Sequence, residues 1–122
     1  MLAAHPDAPI RVYAVWYRMY PGDARARWRA GLLPDRRVQH WWDEKRLTGT
    51  RLVSDIRGFE ILRAPGSRAF DDDVLWDAYL LFDGQARWRA MTPRPASWGY
   101  TILAAKDALA AGVGTLVAGR SQ

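Results

Sequence analysis

Apolar runs separated by short polar breaks recur along this chain, and their spacing predicts strands and helices in a definite order. In residues 10–17, both the even-numbered and the odd-numbered positions are mostly apolar, which is typical of a central strand covered on both faces. Residues 38–42 predict a shorter second strand, and residues 74–82 form the most apolar run. Because Asp83-Gly84 is a turn signal, residues 85–91 are expected to return as the second strand of a hairpin.

Three helices are predicted among these strands. Asp23 is a good first residue for one, in which Ala24, Trp28 and Leu32 follow at four-residue steps. Asp43 is expected to open the second, over residues 43–53. Residues 54–73 carry no clear periodicity and are interpreted as a loop or an insertion.

The third predicted helix covers residues 99–111, with Ser97 as its capping residue. Ile102, Ala105 and Leu109 would form its buried face. Two glycines follow at positions 112 and 114, and they are expected to end the helix.

The predicted order is therefore β-α-β-α-β-β-α. A β-α-β half needs a parallel crossover, whereas the remainder is an antiparallel hairpin with a helix packed over it. We expect an α/β fold in three layers, with a mixed four-stranded sheet and helices on both faces. Residues 10–112 form one domain in this interpretation, after a flexible lead-in at 1–9 and before a C-terminal tail at 113–122.

Two segments resemble the thioredoxin family. Residues 15–23, VWYRMYPGD, are similar to the family's strand and redox motif, and its two cysteine positions fall on Tyr20 and Asp23. Residues 77–84, DAYLLFDG, are similar to the strand that follows the family's cis-proline, whose position falls on Asp77. Together with PDRRVQHWWDE, they look like a poorly characterised bacterial branch of thioredoxin-like proteins, over about residues 10–112. The resemblance implies the three-layer thioredoxin-like sandwich.

The chain has no cysteine among its 122 residues, and this excludes thiol–disulfide exchange, which needs a thiolate nucleophile. The absence of cysteine also excludes metal sites with thiolate ligands. Because the chain has two histidines, we do not expect a His-rich metal site. We expect no metal and no cofactor. The resemblance then implies a redox-inactive thioredoxin-like module that binds a partner.

Six residues are candidates for a binding site at the former redox position. Each has a structural alternative: Asp23 as a helix cap, Tyr20 as an exposed aromatic, and Asp77 as a carboxylate that accepts backbone N–H groups. The functional alternative is a small-molecule ligand site or an enzyme in which two nearby carboxylates act as acid and base. The candidates are Tyr20, Pro21, Asp23, Trp76, Asp77 and Trp98.

The expected partner is a protein or a second copy of the chain, because seven Trp among many Arg fit interface composition. In that view the strand predicted at 85–91 pairs with its copy at an open edge. The formal charge is +5, but most of the basic residues are Arg in an Ala-rich chain, so nucleic acid is not expected as a partner. No signal-peptide pattern or transmembrane run is recognised, so we expect a cytoplasmic protein without membrane insertion.

Overall fold

The computed structural model describes residues 1–27, 30–56 and 73–120, and it divides the chain into two compact units. The first unit is Leu2–Thr48, and the second is Gly49–Gln122 together with Met1. The strands form two separate sheets of two strands each, and the described residues contain two α-helices. The predicted four-stranded mixed sheet with helices on both faces is therefore wrong. The single domain over 10–112 stays a prediction.

In the first unit, β1 (Val12–Trp16) pairs in parallel with β2 (Val38–Trp42), so the predicted parallel pairing of these two strands is confirmed. The predicted crossover α-helix is replaced by single 3-10 turns at Arg25–Arg27 and Ala30–Leu32. Asp23 does not cap a helix here, because its carboxylate accepts from residues that precede it. Trp28, predicted on the apolar face of that helix, lies outside the described residues.

Arg37 holds the start of the chain against the turn that leads into β2. Its guanidinium donates to the carbonyls of Leu2 at 2.9 Å and His5 at 2.6 Å. The same group binds the Asp35 carboxylate through Nε at 3.0 Å and Nη2 at 2.7 Å, a two-point geometry. The Arg37 carbonyl in turn accepts from the N–H of Val12 at the start of β1.

Asp35 gives the first unit an acid-sensitive contact. The Arg37 guanidinium, with the Arg37 backbone N–H, lowers the pKa of Asp35 from 3.8 to about 2. A carboxyl whose pKa is lower in the folded state stabilises the fold above its unfolded pKa, and the contribution disappears as the pH falls through the folded pKa. Wild type should therefore melt at a higher temperature than Asp35→Asn at neutral pH. The gap should close between pH 3.8 and about 2, as followed by circular dichroism. A gap that persists unchanged at the lower pH contradicts this account.

The second unit is built on α1 (Leu47–Ile56) from Gly49 onward, β3 (Ala78–Leu81) and β4 (Ser97–Tyr100). Val53 and Ile56 on α1 are buried with Leu75 and form the described core. Leu80 and Trp98, which are register partners on the antiparallel strands, pack against it. Residues 57–72, most of the predicted loop or insertion, lie outside the described residues.

The predicted strand at 85–91 is wrong, because the second strand of the hairpin is β4. The Asp83-Gly84 turn forms, but the Asp83 carboxylate accepts the N–H groups of Gln85 and Ala86 at 2.8 and 2.9 Å. Those two N–H groups therefore cannot donate hydrogen bonds to a neighbouring strand. The strand that pairs with β3 begins only after this irregular segment. Because residues 85–91 do not form a strand, they cannot pair as a strand with a second copy of the chain.

α2 (Ile102–Arg120) starts later than predicted and is longer, since it continues through the glycines that were expected to end it. Gly112 serves close packing, because a Cβ there would lie 3.0 Å from Leu81 Cδ2 of β3. The predicted buried face is partly wrong: Ile102 is exposed, and the buried residue of the helix is Val113.

Gly99 sets how closely α2 approaches β4. A Cβ at position 99 would lie 2.8 Å from both Ala105 Cβ and Tyr79 Cε1. Gly99→Ala should therefore lower the free energy of unfolding by about 1–3 kcal/mol, the usual cost of overpacking. Gly119→Ala is the control, because nothing lies within 4 Å of that position and alanine favours a helix. Urea titrations that give equal losses for the two variants would contradict the packing.

Candidate functional site

The candidate residues Tyr20, Pro21 and Asp23 form one tight turn after β1. The Asp23 N–H donates to the Tyr20 carbonyl at 3.0 Å, which places Pro21 and Gly22 at the centre of a β-turn. Asp23 Oδ2 accepts the N–H groups of Met19 and Tyr20, each at 2.9 Å. These backbone hydrogen bonds lower the pKa of Asp23. The carboxylate is therefore ionised and holds the turn closed.

Asp77 holds the start of α2. Its Oδ1 accepts the N–H of Ile102, the first residue of that helix, at 3.0 Å. Its φ of 49° lies in the left-handed region, which Asn and Asp tolerate better than most residues. The structural alternative for Asp77, a carboxylate bound to backbone N–H, therefore matches the geometry.

The candidate tryptophans lie in the second unit. Trp98 packs against the core cluster and stacks on Tyr100, with ring centroids 5.6 Å apart. Trp76 is half-buried just before β3. The structure thus brings Tyr20, Pro21 and Asp23 together in the first unit and places Trp76, Asp77 and Trp98 in the second. A site shared by Tyr20, Asp23 and Asp77 stays a prediction.

A pocket lies beyond the carboxyl ends of both parallel strands in the first unit. Its open volume is about 480 Å³, and it includes Tyr20 and Pro21 but not Asp23. Two guanidiniums and one carboxylate line it, so an anionic group fits its charge better than a cation. The lining residues are Arg18, Met19, Tyr20, Pro21, Glu44 and Arg46.

The titratable groups near this pocket are held in structural roles. Burial, followed by the nearby Asp43 carboxylate, raises the pKa of Tyr17 to about 12, so it keeps its proton at neutral pH. Partial burial raises the pKa of Asp43, but hydrogen bonds from the N–H groups of Thr48 and Leu47 lower it, and the net effect is a lowered pKa. Asp43 thus binds the first N–H groups of α1, but the helix begins at Leu47 and ends at Ile56, whereas the sequence predicts it over residues 43–53. Neither group is suited to act as a base at neutral pH.

His40 is also engaged on both nitrogens. Its Nδ1 accepts from the Trp16 indole at 3.1 Å, and its Nε2 then faces the Leu33 carbonyl at 3.3 Å as a donor. The two rings stack with centroids 6.1 Å apart. This arrangement assigns His40 to the packing of β1 on β2.

A buried carboxylate that sequence reasoning missed is Asp55 on α1. Its Oδ2 accepts the N–H and the hydroxyl of Thr92 at 2.9 and 2.8 Å, and its Oδ1 accepts from Arg51 at 3.0 Å. Arg51 also donates to the Ala90 carbonyl. The Thr92 hydrogen bonds, together with Arg51, lower the pKa of Asp55. The i,i+4 spacing of Arg51 and Asp55 was the sequence signal that could have indicated this ion pair. Through Thr92 and Ala90, the pair holds the irregular segment after β3 in place.

Two exposed surfaces were also missed. On the β1–β2 sheet, Tyr13 and Trp41 are each 58% exposed. On α2, Leu103 is 81% exposed, and Val113 is the one fully buried residue of this 19-residue apolar helix. By length and composition alone, α2 is also the one helix among the described residues that is able to cross a membrane.

Within the described ranges, no group of three His, Cys, Asp or Glu side chains is arranged to hold a metal ion. No family model, curated protein or solved structure matches this chain. The site must therefore be judged from the chemistry of its own residues.

The account of Asp77 as a cap predicts different results for two substitutions. Asp77→Ala removes the acceptor of the Ile102 N–H and should lower the free energy of unfolding by about 1 kcal/mol. Asp77→Asn keeps an oxygen acceptor and a residue that tolerates positive φ, so it should cost less than about half as much. Chemical denaturation measures both changes. An alanine variant as stable as wild type would overturn the capping role.

Proposed function

We propose that this protein is a redox-inactive, non-catalytic interaction module whose partner is a protein, in the first instance a second copy of the chain. The observation that carries the proposal is α2, an apolar helix of 19 residues of which Val113 alone is fully buried. Surface of this kind in a soluble protein is typical of a contact with another molecule.

The state of the carboxylates supports a role without catalysis. Asp23, Asp43 and Asp77 each accept backbone N–H groups of a turn or a helix start. A general base near neutral pH needs a raised carboxyl pKa, whereas hydrogen bonding lowers the pKa values of Asp23 and Asp43. The absence of cysteine removes thiol chemistry as well.

A protein fits α2 better than a bilayer does. One side of the helix packs on the sheet, where Gly112 approaches Leu81 and Ala105 approaches Gly99. Lys106 and Asp107 interrupt the apolar run and leave residues 108–119 without charge. That uncharged stretch is about 18 Å long, short of the roughly 30 Å of a hydrocarbon core.

A second copy is the simplest protein partner, because two-fold dimers are the commonest oligomers and need no other molecule. The outer face of α2 begins with Ile102 and Leu103, which are 44% and 81% exposed. An interface that rests on one helix lies at the small end of the range for specific contacts. We therefore expect an association that depends on protein concentration.

The second candidate is a site for an anionic small ligand in the pocket beyond β1 and β2. The pocket volume and the presence of Arg18 and Arg46 favour it. It ranks second because the pocket is open to solvent and its Glu44 accepts from the Trp42 indole, which commits that carboxylate to a structural contact.

Self-association is tested by light scattering after size exclusion over a range of concentrations. Wild type should approach twice the 13.9 kDa monomer mass, and Leu103→Glu should shift it towards the monomer. Leu47→Glu is the matched control: it also places Glu in the first turn of a helix, at a residue 66% exposed on α1. Acidic residues are favourable there, so neither change should unfold the protein. A wild type that stays monomeric throughout, or equal dissociation by both substitutions, would reject the proposal.

A further inference from the structure

The β1–β2 sheet of the first unit has one covered face and one open face. The pairing of Tyr13 with Gln39 and of Val15 with Trp41 puts these four side chains on the same face. Tyr13, Gln39 and Trp41 are all exposed on that face. On the opposite face Val38 is buried, and the stacked rings of Trp16 and His40 lie on that face as well.

Tyr13 and Trp41 are diagonal neighbours on the open face, one strand and two residues apart. From strand spacing and rise, their Cα atoms are about 8 Å apart. Successive bases of an unpaired strand can reach two aromatic rings so placed, and aromatic side chains on the open face of a four-stranded sheet stack bases in one class of RNA-binding domain. Stacking is tolerant of sequence, because every base has an aromatic face.

The positive charge of the chain is concentrated in the same unit. Residues 2–48 carry nine basic and five acidic side chains, a formal charge of +4 out of the +5 of the whole chain. Three of those five carboxylates already bind groups of the protein: Asp23 and Asp43 accept backbone N–H groups, and Asp35 binds Arg37. Eight of the nine basic side chains are arginines, so the positive charge of this unit is carried mainly by guanidinium groups.

Several of these arginines lie at the surface around the strands. Arg11 immediately precedes β1 and is exposed, as is Arg36 shortly before β2. Arg18 and Arg46 line the pocket beyond the carboxyl ends of both strands. Guanidiniums of this kind hold phosphate oxygens through paired N–H donors.

We propose that the open face of the β1–β2 sheet binds single-stranded nucleic acid. Bases stack on Tyr13 and Trp41, and the phosphates contact the arginines at the two ends of the strands. This function is separate from self-association through α2. The sequence alone favoured the opposite expectation, because most of the basic residues are Arg in an Ala-rich chain and no recognised nucleic-acid-binding motif accompanies them. The folded first unit combines that charge with two exposed aromatic rings.

Fluorescence anisotropy with labelled oligouridylate and oligothymidylate of about 12 nucleotides tests the proposal, with a duplex of equal length for comparison. Both single strands should bind more tightly than the duplex, and the affinity should fall steeply between about 50 and about 200 mM salt. Binding of either strand supports the proposal, and the ratio of the two affinities assigns it to RNA or to DNA.

Substitutions separate stacking from general charge. Tyr13→Ala and Trp41→Ala should each raise the dissociation constant by about 5-fold or more, and Trp41→Phe should restore most of the affinity. Trp88→Ala is the matched control, because Trp88 is 59% exposed in the second unit, against 58% for Trp41. Leu103→Glu should bind oligonucleotide as wild type does, so a failure of self-association and a failure of this proposal are distinguishable.

Three results would overturn the proposal. The first is no single-strand binding at the lower salt concentration. The second is an equal loss for Trp41→Ala and Trp88→Ala. The third is that the duplex binds as tightly as the single strands and that neither Tyr13→Ala nor Trp41→Ala weakens the binding.

Discussion

Aspartate carboxylates bound to backbone N–H groups hold the connections of this small protein. Asp23 closes the turn after β1, Asp43 opens α1, and Asp77 receives the first N–H of α2. Asp83 does the same in the turn after β3. Helix ends and tight turns leave backbone donors without partners, and a short side chain that accepts two hydrogen bonds satisfies them locally. The same use commits these carboxylates to structure rather than to chemistry.

Part of the fold could be predicted from the sequence, because some signals are local. Residues 38–42 form β2 as predicted, and Asp43 starts α1 by accepting two N–H groups. One error arose where a side chain competed with the backbone, and another where a glycine serves tertiary packing. Asp83 takes the N–H groups that a hairpin strand at 85–91 would have used. Gly112 was interpreted as a helix end, but in the fold it allows α2 to approach Leu81.

The candidate site was predictable to the same extent. Residues 20–23 do form a tight turn at the end of the first strand, where the strand-and-break pattern placed it. Its pairing with Asp77 stays a prediction, although the four-stranded sheet on which that pairing was based is replaced by one two-stranded sheet in each unit. Exposure is a property of tertiary structure, so the open surfaces at Trp41 and Leu103 left no signal in the periodicity.

The central claim is that the outer face of α2 is covered by a second copy of the chain. Amide hydrogen exchange, measured at low and at high protein concentration, tests it most directly, because binding adds protection where the contact forms. The account predicts that peptides from residues 102–120 gain protection as the concentration rises. Peptides from β1 and β2 should not change. Exchange in α2 that is independent of concentration, or protection that rises equally in both units, would contradict it.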